Sequence, residues 1–320
     1  MKFMQTIRRA VIDVGTNSVK LLVADVLCGA VQPVLEKSEQ TRLGAGFFAT
    51  NCLQPQAVEQ TARAVAAFAQ TARESGAVST RIIATSAARD AVNAGDLASA
   101  IQNAAGLKVE IISGQQEADL AFQGVNTDPE LAQLPLLLLD VGGGSTEFIL
   151  GQGEQRQFCQ SFQLGTVRLM EKFPPGDPPA AQQLAATRQF VNDFLCREVR
   201  PALLPLIKRH ADVQSQPVQL VGTGGTATIL ARLHHRLLNY NRAVIEGTRL
   251  DLPQLHAWVG QLWGLPLAER KKIPGLPPSR ADVILYGTLI YEGVMDTLEF
   301  SGLRISTRGL RFAAVLAAVE

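Results

Sequence analysis

The sequence predicts an α/β protein made of two similar halves, and three observations carry that reading. At 320 residues the chain exceeds the usual limit of a single hydrophobic core. Short apolar strands alternate along it with stretches of helical period. One phrase also occurs twice, about 127 residues apart: Asp13-Val14-Gly15-Thr16-Asn17-Ser18-Val19-Lys20 and Asp140-Val141-Gly142-Gly143-Gly144-Ser145-Thr146-Glu147. In each copy an apolar strand ends in Asp, passes a turn of small and hydroxyl or amide residues, and resumes as a strand. That is a hairpin and not the strand-turn-helix of a dinucleotide fold.

The elements follow in order. Ala10-Val11-Ile12 and Leu21-Leu22-Val23 flank the first turn, and Val31 to Arg42 is expected to form a further strand pair. Pro55 to Ser75 places Val58, Ala62, Val65, Ala66 and Ala69 on one helical face, and Gly76 supplies the stop. Arg81 to Thr85 predicts a strand, Ser86 a cap for the next helix, Val109 to Ile112 another strand, and Gln115 to Val125 a helix. Asn126-Thr127-Asp128-Pro129 breaks that helix, so residues 126 to 135 are the expected hinge. Leu136 to Leu139 and Phe148 to Leu150 flank the second turn, and Gln155 to Leu164 continues as a strand. Ala180 to His210 is expected to be helical, kinked or divided at Pro201 and Pro205. A buried strand at Val218 to Val221 runs into the loop Gly222-Thr223-Gly224-Gly225-Thr226 and a helix from Ala227 to Leu238. Ala281 to Glu299 predicts an amphipathic helix and Arg308 to Val319 the last one.

Composition narrows the function classes. Hydrophobic residues make up 47% of the chain and the net charge is +1, which permits full cores and excludes a broad basic surface for nucleic acid. A polyanionic substrate would need a local cluster of donors. Cys28, Cys52, Cys159 and Cys196 form no CxxC pair, which suits core thiols in a reducing compartment. The first ten residues lack the apolar stretch of a signal peptide, and no apolar run approaches the ~20 residues of a membrane span. The expectation is a cytoplasmic protein without membrane or nucleic-acid partners.

The repeated phrase points to phosphate. A tight turn of small residues presents several backbone N–H groups together, and such a concavity binds phosphate oxygens. Gly15, Thr16, Asn17 and Ser18, with Gly142, Gly143, Gly144 and Ser145, are the candidate cradle, the glycines permitting positive φ and close approach. Asp13 and Asp140 are placed to hold a divalent cation shared with the phosphates. Arg89, just after a strand, offers a fixed fork of donors for phosphate oxygens, and Arg42, Arg168, Arg304 and Arg308 could guide a long polyanion. Glu117, near a helix start, reads on its own equally well as an ordinary first-turn glutamate or as a functional carboxylate. The histidines at 210, 234, 235 and 256 have no zinc spacing, and Trp258 and Trp263 read as packing residues.

The stretches AVIDVGTNSVKLLVADV, IIATSAARDAVN, VEIISGQQEADLAFQGV, LLLLDVGGGSTEFILG, LGTVRLMEKF and LVGTGGTATILA resemble the exopolyphosphatase and guanosine pentaphosphate phosphohydrolase family, within the actin, hexokinase and heat-shock-ATPase superfamily. The resemblance spans essentially the whole chain, and IISGQQEADLAF ahead of DVGGGSTE is its most specific part. It implies two actin-like, ribonuclease H-like domains with the active site in a cleft between them: residues 1–125 plus about 303–320, and residues 126–302. It implies a short, two-domain member in which Glu117 is the catalytic base and Arg89 the catalytic arginine on phosphate, Asp13, Asp140 and Glu147 face Mg2+ or another divalent cation, and Gly224 and Gly225, which lie where superfamily ATPases hold a nucleoside, bind phosphate. The implied substrate is inorganic polyphosphate, with guanosine pentaphosphate as the alternative and a non-catalytic phosphate-chain or nucleotide sensor as an alternative of another class. A homodimer is compatible with the resemblance.

Overall fold

The protein is described by a computed structural model over residues 6–214 and 217–317. The chain divides into two compact units, Met1–Asp128 with Arg308–Glu320, and Pro129–Thr307. The division lies past the expected 125/126 and 302/303 boundaries. Residues 302 to 305 form a strand of the second sheet, so the chain cannot leave that unit before them.

In the first unit five strands lie in the order β3-β2-β1-β4-β5: β1 Ile7–Val14, β2 Val19–Leu27, β3 Ala30–Glu39, β4 Ser79–Ala84 and β5 Val109–Ile111. The pairs β1·β2 and β2·β3 are antiparallel; β1·β4 and β4·β5 are parallel. The expected strand pair at Val31 to Arg42 is one edge strand, with a register shift opposite Val23/Ala24 and Pro33 on the edge, where a missing N–H costs no ladder bond. Alternation sends Ile12, Val14, Val19 and Leu21 to one face, against the Pro55–Glu74 and Ala94–Ala105 helices. Val11, Leu22, Ala24 and Ile83 go to the other, against Leu310, Phe312 and Val315 of the Leu310–Leu316 helix and Leu120 of the Gly114–Val125 helix. Asp13 shares the strand parity of Val11 and so lies on the face that carries these last two helices. They meet closely: a Cβ at Gly124 would stand 2.0 Å from the Gly309 carbonyl oxygen. The terminal helix is shorter than expected, and Val319 lies outside the described residues.

The second unit repeats the topology. Its strands are β6 Leu136–Val141, β7 Thr146–Gln152, β8 Gln155–Phe162, β9 Gln219–Thr223, β10 Arg249–Asp251 and β11 Gly302–Ile305, in the order β10-β11-β9-β6-β7-β8. With the short antiparallel β10 set aside, β8-β7-β6-β9-β11 matches β3-β2-β1-β4-β5 strand for strand and direction for direction.

Several expectations change here. Ile284–Thr297 is no amphipathic helix, since every residue from Ile284 to Met295 is buried and it serves as a core element. The Ala181–Phe194 helix passes through a π-turn at Leu195–Val199 into Arg200–Gln214, which keeps Pro205 inside it. Gly222-Thr223 end β9 and Gly224-Gly225-Thr226 already belong to the helix Gly224–His235, so the expected loop is a strand-to-helix junction. Trp263 packs as expected, donating to the Leu285 carbonyl at 3.2 Å. No disulfide joins the cysteines, and Cys28 and Cys196 are exposed rather than core residues. Among the described residues no helix is long and apolar enough to cross a membrane.

Candidate active site

In the first unit the turn after β1 is closed by Gly15 N–H donating to the Ser18 carbonyl at 3.0 Å. Gly15 has no positive φ; glycine is favoured because a Cβ would approach the Ser18 oxygen to 3.2 Å. Among the described residues the N–H groups of Thr16 and Asn17 donate to no protein acceptor. The segment after β3 braces the turn from outside: Arg42 N–H donates to the Asn17 carbonyl at 3.1 Å and Gly44 N–H to the Thr16 carbonyl at 2.8 Å. A Cβ at Gly44 would lie 2.3 Å from Thr16 Cγ2 and 3.3 Å from the Thr16 carbonyl oxygen, so any larger residue there must displace the Thr16 side chain.

Glu117 and Arg89 meet. The Gly114–Val125 helix starts at a capping box in which Ser113 Oγ accepts from Gln116 N–H at 3.2 Å and Gln116 Oε1 from Ser113 N–H at 2.9 Å. That fixes the first turn and with it Glu117, whose N–H donates to the Ser113 carbonyl at 2.9 Å. Arg89 comes from the short helix Ser86–Asp90 after β4, and its Nη1 donates to Glu117 Oε2 at 2.9 Å. Both side chains are partly shielded, at 21% and 15% exposure, so their attraction is screened less than a surface pair's. Asp90 also lies 3.4 Å from Arg89 Nε. The cap expected from Ser86 is not made; Thr85 takes the cap position, and the buried Ser86 hydroxyl has no partner among the described residues.

In the second unit the same closure recurs, Gly142 N–H to the Ser145 carbonyl at 3.0 Å. Gly142, Gly143 and Gly144 show no positive φ either, and a Cβ at Gly142 would stand 3.0 Å from the Ser145 carbonyl oxygen. The N–H groups of Gly143 and Gly144 also donate to no protein acceptor among the described residues. A second brace follows β8: Thr166 N–H donates to the Gly142 carbonyl at 3.0 Å, Val167 N–H to that of Gly143 at 2.8 Å, and Arg168 Nε to that of Gly144 at 2.9 Å. Gly165 presses so close that its Cβ would lie 2.4 Å from the Gly143 oxygen.

Asp140 and Glu147 stand opposite each other in the β6·β7 register and share a face. Glu147 is 2% exposed, and its Oε1 accepts the hydroxyls of Ser145 and Ser161, each at 2.7 Å. The Ser145 hydroxyl proton is thereby committed to Glu147. Gly224, at φ +81°, makes room for Asp140: a Cβ there would fall 2.1 Å from Asp140 Oδ1. Thr226 Oγ1 ties the same junction to the Val141 carbonyl at 3.0 Å.

These donors suit one kind of cation. Among the described residues there is no cluster of three or more His, Cys, Asp or Glu able to cage a metal. A cradle that a Cβ would fill, beside a carboxylate at a strand end, suits a hard ion that keeps much of its water and takes one or two carboxylates with substrate oxygens, as Mg2+ does.

The first unit thus brings Glu117 and Arg89 together, and the second gathers Asp140, Gly142 to Ser145, Glu147, Gly224 and Gly225. Arg42 flanks the first turn and Arg168 the second. Arg304 is instead paired with Glu130 at 2.7 Å, and Arg308 donates to the Thr127 carbonyl and hydroxyl at 2.7 and 3.1 Å. The braces were not expected from the sequence. Their signal was present: Leu43-Gly44 and Leu164-Gly165 each follow the third strand of their half, with the leucine buried and the glycine against the second residue of the turn.

Comparison with known proteins decides the family. The sequence model of the Ppx/GppA phosphatase family matches residues 22–318. The chain belongs to the Ppx/GppA phosphatase family. Membership makes it a phosphoanhydride hydrolase with the family's actin-like α/β fold. Among the similar proteins, one named exopolyphosphatase 2 of Mycobacterium tuberculosis is 34% identical over 304 residues, covering 91% of each chain. The Aquifex aeolicus Ppx/GppA family member superposes with a TM-score of 0.77 at 29% identity, covering 98% of this chain and 97% of that one. A structure described as an exopolyphosphatase from Cytophaga hutchinsonii gives a TM-score of 0.82 at 28% identity, with 96% of each chain covered.

Proposed function

We propose that this Ppx/GppA protein removes orthophosphate from the chain ends of inorganic polyphosphate. The observation that carries the reading is the pair Arg89 and Glu117, a guanidinium from the Ser86–Asp90 helix 2.9 Å from a carboxylate on the first turn of the capped Gly114–Val125 helix. Two similar proteins that are named exopolyphosphatases, 34% and 28% identical, support the substrate class. Phosphoryl transfer depends mainly on positioning and charge stabilisation. The N–H groups of Thr16 and Asn17, of Gly143 and Gly144 and of the Gly224-Gly225 junction hold phosphate oxygens, with Gly15, Ser18, Gly142 and Ser145 closing the turns around them, and Arg89 binds the terminal group. Glu117 orients a water and takes its proton as the oxygen bonds to the terminal phosphorus, while the bridging P–O bond breaks and its electron pair leaves with the shortened chain. Asp13 and Asp140 are the carboxylates for Mg2+, with Glu147 behind Ser145 on the Asp140 face. The bound cation would supply charge neutralisation on the phosphate oxygens.

Orthophosphate release from long-chain polyphosphate, tripolyphosphate and guanosine pentaphosphate tests the substrate. Release from polyphosphate is expected. Release from guanosine pentaphosphate alone would move the assignment to that substrate, and binding of all three without release would make the protein a sensor.

A further inference from the structure

We propose that Gln40 is a positioning residue for phosphate binding: its side-chain amide donates to Asn17 Oδ1 and so holds Asn17 Nδ2 as a donor for a substrate phosphate oxygen. This rests on the reading of the first turn as a phosphate site and deepens it. Asn17 is 6% exposed, its Oδ1 accepts from Gln40 Nε2 at 3.0 Å, and its Nδ2 is buried without a partner among the described residues. A buried amide N–H2 is rarely left unpaired, because its desolvation is then uncompensated. At the first turn the missing acceptor is supplied by an anion.

The amide pairing decides which end of Asn17 is presented. An Asn side chain offers an acceptor and a donor of nearly equal shape, and the wrong orientation would set an oxygen against phosphate. With Gln40 donating, Oδ1 is occupied and Nδ2 is the end left for the ligand. The Gln40 Oε1 and Thr41 Oγ1 atoms are themselves buried and unpartnered, so Asn17 is the observed polar partner of the Gln40 amide. The main chain reinforces the arrangement, since Arg42 N–H holds the Asn17 carbonyl at 3.1 Å. The second turn has no counterpart: the residue matching Asn17 in the repeat is Gly144, whose carbonyl is engaged by Arg168 Nε. The first half therefore carries a side-chain donor that the second lacks.

A double-mutant cycle tests the proposal. Gln40→Met keeps bulk and removes the amide; Asn17→Ala removes the donor it orients. Binding of tripolyphosphate by calorimetry and KM for its hydrolysis are measured for the wild type, both single variants and the pair, with thermal melting to confirm folding. Gln40→Met is expected to weaken binding and raise KM about tenfold while kcat changes little, the scale of one charge-assisted hydrogen bond. In the Asn17→Ala background Gln40→Met should have no further effect. Equal effects in both backgrounds, or wild-type affinity in Gln40→Met, would overturn the proposal. Should the wild type release no phosphate, the hydrolase reading fails, and the calorimetric cycle still decides the role of Gln40.

Discussion

Replacing Gly165 by alanine should damage the second turn without replacing any residue that contacts substrate. Gly165 has φ −141° and ψ 161°, extended backbone that alanine adopts freely, so the cost is purely steric. The new Cβ would stand 2.4 Å from the Gly143 oxygen and 2.5 Å from the Gly144 carbonyl carbon, both main-chain atoms with no rotamer to escape into. Ordinary contact begins near 3.4 Å, so the turn or the brace must retreat by about 1 Å. Overpacking of this kind costs about 1–3 kcal/mol, read as a fall of roughly 2–4 °C in melting temperature per kcal/mol for a unit of this size. Displacing a positioning element by about 1 Å lowers turnover on the order of 10²-fold. Gly260→Ala in the same unit is the control, because a Cβ there meets nothing within 4 Å. The assay is thermal denaturation together with orthophosphate release. A Gly165→Ala protein that melts and turns over like the wild type would refute the claim that close approach of the Leu-Gly brace shapes the turn.

Further outcomes follow from the same geometry. Gly224→Ala combines a strained φ with a Cβ 2.1 Å from Asp140 Oδ1, so it should raise the Mg2+ concentration for half-maximal activity as Asp140→Asn does; an unchanged Mg2+ titration in Gly224→Ala would contradict the cradle. Ser113→Ala removes the capping box and should cost about 1 kcal/mol in denaturant unfolding with a larger loss in kcat than in affinity, because Glu117 sits on that turn; loss of stability with full turnover would separate the two. Glu292 is raised above its ordinary carboxylate value by burial, partly offset by the Arg188 hydrogen bonds at 2.9 and 3.2 Å and by His256, with Asp296 acting the other way. A raised folded-state value gives stability that is complete below about 4.5 and lost as pH rises through the folded value. Urea stability of the wild type relative to Glu292→Gln should therefore fall as pH climbs from 4.5, and a pH-independent difference would show that Glu292 titrates normally.

Much of the fold was legible because its signals are local. Asp13 to Lys20 and Asp140 to Glu147 announced both hairpins, and the strand-helix alternation gave the α/β class. Elements whose state depends on distant packing were harder. Val31 to Arg42 looked like two strands because Pro33 and the polar tail mimic a turn, whereas an edge strand tolerates both. Ile284–Thr297 looked amphipathic because Tyr, Thr and Glu read as polar, yet Tyr291 hydroxyl reaches the Leu139 carbonyl at 3.3 Å and Glu292 pairs with Arg188, so the polar groups are satisfied inside. Glu117 was ambiguous as an isolated residue and was singled out by the family resemblance, whereas its ion pair with Arg89, 28 positions away, is a product of the fold. The braces escaped notice because Leu-Gly is a common dipeptide whose meaning lies in what the glycine touches.

Orthophosphate release by Glu117→Gln from long-chain polyphosphate in the presence of Mg2+, set beside its calorimetric affinity for tripolyphosphate, shows whether Glu117 activates the attacking water. Wild-type affinity with turnover lowered by ~10² to 10⁴ is the predicted result, the scale of losing a general base. Turnover close to that of the wild type would contradict the assignment of Glu117 as the residue that activates water.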